Sequence, residues 1–254
     1  MANILNNNPA IIFMNNAASV SKTFGTICKN PSLIVAVFTV EVENTTATIT
    51  DNGNAGPYSI DATASTGFAV IGYGTVFIAS MQNTSSADLT VTATPATSNY
   101  GYLKIFELID LEWVVSHKPI GGVDATGTGA SATGLTEIAV PITTHTADCS
   151  IFLGLIYYDG RFPPGAVVFA DPGYTGDSPQ AGNYSYHFYE YELDAGAVGS
   201  VTLNCGGGKP TNQWQAAAVA YKPSATPPPP SGSAVDFPQG IWVMGRLTAT
   251  MPPT

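Results

Sequence analysis

The alternation of apolar and polar residues predicts β-strands, most clearly in the first quarter of the chain. Residues 33–42 form an apolar run rich in β-branched side chains, and residues 46–50 repeat that composition after a short polar break. Residues 51–54 then read Asp-Asn-Gly-Asn, a typical turn composition that lacks the further acidic positions of a calcium loop. This order predicts a buried strand, a shorter strand and a tight turn stabilised by Asx side chains.

Strand-like segments continue along the chain at a spacing of roughly ten residues, which indicates a β-sandwich or barrel. Residues 88–94 alternate apolar and polar positions, and residues 102–109 and 150–158 are mostly apolar. Residues 214–222 are rich in alanine, which favours a helix. We predict a strand there, because the segment is short for a helix and every other segment is strand-like.

Two stretches lack this strand pattern. Residues 1–18 are rich in asparagine around a small apolar plug at residues 11–14. They predict either an extended arm that docks on a partner surface or an ordinary first strand, and the two interpretations have equal weight. Residues 121–134 contain mainly Gly, Ala and Thr, and we predict a flexible surface loop or crossover.

The C-terminal stretch separates from the rest by composition. Residues 227–230 are four prolines, which act as a stiff spacer and mark the predicted end of the folded part. Residues 231–254 carry large apolar side chains that a disordered tail would avoid, so we expect them to be buried against a surface. The predicted organisation is an N-terminal arm (1–18), a β-sandwich (19–223), a proline-rich linker (224–230) and an apolar docking arm (231–254).

The charge composition argues against two classes of partner. Only 10% of the residues are charged, and the net charge is −10. The eight cationic residues are scattered along the chain, whereas nucleic-acid binding needs a basic stripe. The same argument disfavours an anionic membrane surface, and no segment is long enough to span a bilayer. The first cation is Lys22, so we expect no secretory signal and synthesis in a cytosol.

The reactive side chains predict no catalytic, metal or cofactor site. Cys28, Cys149 and Cys205 match no metal motif or disulfide framework, and we interpret them as small buried side chains, with one disulfide between two of them as the alternative. Glu190 and Glu192 would share one face of a strand, as paired glycosidase carboxylates could, but a strand running from core to solvent also explains them. The three histidines, His117, His145 and His187, have no spacing that predicts a metal site or a triad. We therefore expect neither an enzyme nor a bound cofactor.

The order of these segments resembles a known fold family. Residues 49–54 read ITDNGN, residues 89–94 read LTVTAT and residues 214–222 read WQAAAVAYK. Together with residues 33–38, 70–79, 103–108 and 184–191, they are similar to concanavalin-like jelly-roll domains of tailed-phage structural proteins and bacterial surface proteins. The resemblance covers residues 20–223 and implies an all-β, jelly-roll-type antiparallel β-sandwich of two packed sheets with Greek-key connections.

The two apolar arms lie outside the resemblance and change the functional expectation. Surface-protein relatives usually follow a signal peptide and sit among other domains, whereas we expect neither here and find two apolar arms instead. This difference favours a virion structural protein of a tailed bacteriophage, assembled in the host cytoplasm. We expect a capsid decoration or tail or fibre subunit that contacts copies of itself or other virion proteins. The candidate docking residues are Ile11, Ile12, Phe13, Phe237, Ile241, Trp242, Val243, Met244 and Leu247.

The alternative is a carbohydrate-binding adhesin module of a cell-surface or phage receptor-binding protein. Concanavalin-like sandwiches often bind glycans on a sheet face or at loop tips, and aromatic rings stack on sugars. The second half of the chain has an aromatic-rich strand and loop that fit this interpretation if one face is open. The candidate glycan-contacting residues are Tyr174, Tyr184, Tyr186, Tyr189 and Tyr191.

Overall fold

A computed structural model confirms the prediction of an all-β protein. It contains antiparallel strands and no helix in the residues that it describes. The same residues accordingly include no helix that could cross a membrane. The described residues are 3–65, 74–110, 121–131, 138–157, 168–169, 173–176, 180–181, 185–193, 195–207 and 213–223.

The strands of the first half form two sheets. In chain order they are β1 (Asn3–Asn7), β2 (Ile12–Ala17), β3 (Val20–Thr23), β4 (Ser32–Val40), β5 (Ala47–Asp51), β6 (Ser59–Ser65), β7 (Thr75–Asn83), β8 (Thr90–Pro95) and β9 (Asn99–Asp110). The first inner sheet has the order β1-β9-β4-β7-β6, with β2 also paired to β9. The first outer sheet has the order β3-β8-β5.

The strands of the second half repeat this arrangement. They are β10 (Val123–Ser131), β11 (Ile138–Thr144), β12 (Ser150–Tyr157), β13 (Val168–Phe169), β14 (Thr175–Gly176), β15 (Gln180–Ala181), β16 (Tyr186–Glu192), β17 (Gly199–Gly207) and β18 (Trp214–Tyr221). The second inner sheet has the order β10-β18-β12-β16-β14, with β15 also paired to β16. The second outer sheet has the order β11-β17-β13. Strand for strand, β10-β18-β12-β16 corresponds to β2-β9-β4-β7.

The four sheets stack in four layers, with the two inner sheets face to face. Three hydrophobic cores separate the layers: a first core within the first half, a central core between the inner sheets, and a second core within the second half. On β4, Ile34 and Phe38 enter the first core, whereas Val35 and Val37 enter the central core. A strand buried on both faces needs apolar side chains at every position, which explains the continuous apolar runs of β4 and β12.

This four-layer stack differs from the two packed sheets that the sequence predicted. Gly154 on β12 shows how closely the inner sheets approach. A Cβ atom at this position would lie 2.7 Å from Val37 Cγ1 and 2.8 Å from Val76 Cγ1 across the central core. The backbone can pass this point only without a side chain.

The prediction of a loop at residues 121–134 is wrong for its described part, because β10 is a strand paired along its length with β18. Its glycines serve packing rather than flexibility. A Cβ at Gly127 would overlap the carbonyl oxygen of Pro141 on β11, and one at Gly129 would lie 2.8 Å from the carbonyl oxygen of Ala139. The strand therefore needs glycine where it passes the outer sheet.

The N-terminal residues follow the second interpretation of the sequence, an ordinary start of the sheet. β1 and β2 both pair with β9, and Met14 is buried in the first core. The alanine-rich segment is strand β18, as predicted. The linker and the predicted C-terminal arm lie outside the described residues.

Candidate functional site

The N-terminal docking candidates lie on the edge of the first inner sheet. Ile12 packs against the first core and Ile11 against the central core. Phe13 is 40% exposed, and its ring centroid lies 4.8 Å from that of Tyr102 and 6.2 Å from that of Tyr100. Phe13 and the half-buried Tyr100 thus form a small aromatic strip at the surface. The C-terminal candidates Phe237, Ile241, Trp242, Val243, Met244 and Leu247 lie outside the described residues.

The candidate glycan-contacting tyrosines have different positions. Tyr186 points into the second core, whereas Tyr189 and Tyr191 point into the central core, and all three are buried. Tyr174 is half-buried against the second core, and Tyr184 lies outside the described residues. Within this chain, Tyr174 is therefore the described candidate with the most accessible ring.

The residues weighed for catalysis or metal binding are dispersed. Glu190 is buried, Glu192 is half-buried, and His145 lies at the surface with Nδ1 3.9 Å from Asp124 Oδ2. Within the described ranges, no group of three or more His, Cys, Asp or Glu side chains could hold a metal ion. His117 lies outside those ranges.

The turn at residues 51–54 is built around one carboxylate, as predicted. Asp51 accepts hydrogen bonds from the backbone N–H groups of Gly53 and Asn54, from Asn54 Nδ2 and from Tyr58 Oη, at 2.6–2.9 Å. Burial alone would raise the pKa of Asp51, but these donors outweigh it and hold the pKa below its usual value. The turn is therefore a structural Asx turn.

Cys28 and Cys149 are buried free thiols, which agrees with the preferred interpretation. They lie in the first and second core respectively, so the two do not pair with each other. Burial, followed by the negative charge of Glu107 for Cys28 and of Asp124 for Cys149, raises the pKa of each thiol to about 12. Thiols with such a pKa remain protonated at neutral pH and are poor nucleophiles.

The most unusual polar group lies between the two inner sheets, and we call it the His187 cluster. It consists of Thr39 on β4, Glu41 just after β4, Ser185 just before β16, and His187 on β16. All four residues are buried, and His187 is 1% exposed. The Tyr102 ring on β9 covers the imidazole, with centroids 4.7 Å apart. The cluster joins the first half to the second where the central core ends.

The hydrogen bonds of the cluster can all be made with a neutral His187. Ser185 Oγ donates to Glu41 Oε1 at 2.8 Å, which leaves its oxygen free to accept from His187 Nε2 at 3.1 Å. Thr39 Oγ1 lies 2.7 Å from His187 Nδ1 and can donate to it. Every group then has a partner when His187 is neutral and carries its proton on Nε2.

Electrostatics favour the same state. Burial lowers the pKa of His187 below its usual value, and the nearby Glu41 carboxylate, with Oε1 3.5 Å from Nε2, opposes this only in part. Burial, and then the charge of Glu41, raise the pKa of Tyr102, so its phenol stays protonated and donates to the Ala181 carbonyl at 2.7 Å.

The cluster contains the residue types of a hydroxyl–histidine–carboxylate triad but not the arrangement of a working one. Ser185 and Glu41 both face Nε2, whereas a triad places nucleophile and carboxylate on opposite ring nitrogens. Thr39 faces the other nitrogen, but its hydroxyl is buried between sheets. The His187 imidazole can accept a proton, and the hydrogen bonds of the cluster connect strands of the two halves. We assign the cluster no covalent chemistry.

A second polar group fastens the N-terminal segment. The buried Glu107 carboxylate accepts hydrogen bonds from the side-chain amides of Asn6 and Asn7 and from the Lys29 backbone N–H. Lys104 Nζ donates to the Pro9 carbonyl at 2.7 Å. The same ammonium lies 4.9 Å from the Tyr189 ring centroid, a cation–π distance.

Neither polar group was predicted from the sequence. The available signal was an interruption of apolar runs: Thr39 and Glu41 break residues 33–42, and Lys104 and Glu107 break residues 102–109. Polar residues at such positions need buried partners.

Comparisons with protein-family models, curated proteins and solved structures give no match.

Proposed function

We propose that this chain is a non-catalytic structural subunit of a tailed-phage particle, a capsid decoration protein or a tail or fibre component, and that each half is a jelly roll. The strand order supports the jelly-roll assignment, because each half has two packed sheets with the same order. The observation that supports a structural role is the four-layer stack. Its inner strands β4, β12 and β18 are buried on both faces, which makes a rigid block suited to a mechanical role.

The docking element in this proposal is the apolar C-terminal stretch. Residues 231–254 include Phe237, Ile241, Trp242 and Met244, which would gain roughly 25 cal/mol per Å² of apolar surface buried on a neighbouring subunit. The described strands pair with one another within residues 3–221, so removal of the tail leaves each of those pairs in place. At the N-terminus, the aromatic strip of Phe13 and Tyr100 offers a smaller contact.

Truncation tests the docking role. We expect residues 1–223 to fold with the circular dichroism spectrum and melting temperature of the full chain, but to have a smaller mass by light scattering. A full-length control with serine at Phe237, Ile241, Trp242 and Met244 keeps the chain length and should behave like the truncation. Equal mass for all three proteins would contradict the docking role.

Particle labelling tests the location. Antibodies raised against residues 1–223 should bind purified particles of the phage that encodes this chain, at regular positions on the capsid or tail. Labelling of cell surfaces, with unlabelled particles, would contradict a virion role.

The aromatic surface groups favour glycan binding as the second candidate function. Among the described residues, this applies to Tyr174 and the Phe13–Tyr100 strip, since Tyr186, Tyr189 and Tyr191 are buried. Glycan-array binding that is lost in Tyr174→Ala or Tyr100→Ala, with unchanged melting temperature, would support it. Retention of binding in both variants would exclude these rings as the contact.

A further inference from the structure

We propose that the His187 cluster is an acid-sensitive latch between the two halves of the molecule. The first half supplies Thr39 and Glu41, and the second supplies Ser185 and His187. The hydrogen bonds between Thr39 and His187 at 2.7 Å and between Ser185 and Glu41 at 2.8 Å therefore cross from one half to the other, and a bond of 3.1 Å between Ser185 and His187 links the two. The latch is closed when His187 is neutral. A proton added to the imidazole opens it.

Protonation disturbs the latch on the side that faces Thr39. In the closed state the Thr39 hydroxyl donates to Nδ1, but a protonated Nδ1 is itself a donor. The Thr39 oxygen then accepts from Nδ1–H, and the hydroxyl proton must turn to its next acceptor, the Tyr102 carbonyl, which lies 3.5 Å away. The bond between Thr39 and Nδ1 reverses its direction, and the hydroxyl proton keeps only a marginal bond.

The surroundings stabilise the added charge only in part. Across the interface His187 faces the Glu41 carboxylate and the Tyr102 phenol, and its neighbours in the sheet are Ile156 on β12 and Gln180 on β15. Two residues further along the same face of β9, the Lys104 ammonium lies against Tyr189.

Of the charged side chains named here, only Glu41 favours an imidazolium, and the cost of burying the charge exceeds its contribution. Glu190 and Glu192 lie on the opposite face of β16 from His187. Protonation therefore weakens the contact between the halves.

The sign of the pH dependence follows from linkage. The unfolded chain binds a proton on His187 near pH 6.5, whereas the folded chain resists it to lower pH. Stability is therefore fully present above about pH 6.5 and is lost as pH falls below that value. This single site can raise the unfolding equilibrium constant by up to about tenfold per pH unit within the window.

Urea unfolding of the full chain between about pH 7.5 and about pH 5.5 tests the latch, because ordinary carboxyl groups stay ionised there. We expect the unfolding equilibrium constant of the wild type to rise several-fold across this range. The His187→Gln variant should show a flat profile. The His145→Gln variant, which changes an exposed histidine, should keep the wild-type slope.

A flat wild-type profile, or a wild-type slope in His187→Gln, would overturn the proposal. If His187→Gln does not fold, NMR titration of the wild-type imidazole decides the question, with the His117→Gln and His145→Gln variants used to assign the three histidine resonances. A His187 resonance that titrates below about pH 6.5 supports the latch. One that titrates at or above that value overturns it.

Discussion

The two halves of the molecule reach the same strand order with different side chains. In the first half, large residues such as Met14, Phe38 and Phe77 fill the space between inner and outer sheets. In the second half, Tyr157 and Phe188 do the same on the corresponding strands, but β18 contributes three alanines to its core where its counterpart β9 contributes leucine and isoleucine. The comparison shows that the same strand order accommodates different core residues.

The edges of the inner sheets differ in the same way. The first half covers β9 with two short strands, β1 and β2, held by the buried Glu107 and by Lys104. The second half covers β18 with one long strand, β10, which passes close to β11 at Gly127 and Gly129. One edge is thus secured by polar side chains and the other by close backbone packing.

The largest effect should come from the central core that the halves share. Phe106 on β9 packs against Phe152, Tyr189 and Tyr191 of the second half, with ring centroids 5.0–5.6 Å apart. Phe106→Ala should lower the free energy of unfolding by about 3–5 kcal/mol. Because the core belongs to both halves, urea unfolding followed by fluorescence and by circular dichroism should still show one transition.

Phe13→Ala at the exposed edge is the matched control, with a much smaller expected loss. Separate transitions for the two halves in the Phe106→Ala variant would contradict the shared core and would make the halves independent domains.

A smaller effect should come from the edge that depends on close backbone packing. In Gly127→Ala the new methyl group meets the Pro141 carbonyl, which belongs to a paired strand and cannot move aside as a side chain could. We expect a loss of about 1–3 kcal/mol in unfolding free energy. Gly122→Ala is the control, because a Cβ there has no atom within 4 Å. Equal stability of the two variants would show that β10 does not need its glycines.

This glycine effect also explains what could and could not be predicted from the sequence. The strands at β4, β8 and β18 are local patterns, and they were predicted correctly. The strand β10 was missed because its glycines are required by close packing against a neighbouring sheet. The local sequence of residues 121–134 contains no information about that packing. The four layers were missed for a related reason. An apolar run predicts a strand that is buried on both faces, but it does not predict how many sheets the protein has.

The His187 cluster was missed because its members are far apart in the chain. Thr39 is 148 residues from His187 and Glu41 is 144 residues from Ser185, so no local sequence pattern connects them. The Asx turn, by contrast, was predicted because its donors lie within seven residues of Asp51. Sites made by local chain geometry are predictable in this protein, and sites made by sheet packing are not.

The polar edge of the first half should respond to the loss of one charge. In Glu107→Gln a side-chain NH₂ group faces donors from Asn6 and Asn7 on one side or from Lys29 on the other, so at least one donor loses its acceptor. We expect a loss of about 1–2 kcal/mol in unfolding free energy. Hydrogen exchange should quicken most in residues 3–17. Glu43→Gln, which changes an acid whose bond to Asn44 is exposed, should leave the exchange of those residues unchanged.

If exchange in residues 3–17 stays slow in Glu107→Gln, the strand pairing with β9 alone secures the N-terminal segment. That outcome would remove the difference between the two edges, because both would then depend on backbone pairing.

The smallest effect compares a carboxylate turn in each half. Asp124 resembles Asp51: it accepts from the backbone N–H groups of His145 and Thr146 and from Thr146 Oγ1, and these donors outweigh burial and lower its pKa. For both groups the folded pKa lies below the unfolded one, so the stabilisation is present above about pH 4 and is lost as pH falls further.

Asp51→Asn should cost about 1 kcal/mol at neutral pH, because a neutral amide is a weaker acceptor for the same donors. Measured by urea unfolding, the difference between wild type and either Asn variant should shrink near pH 3. A difference that persists at that pH would mean that the turns depend on side-chain shape and not on charge, in both halves alike.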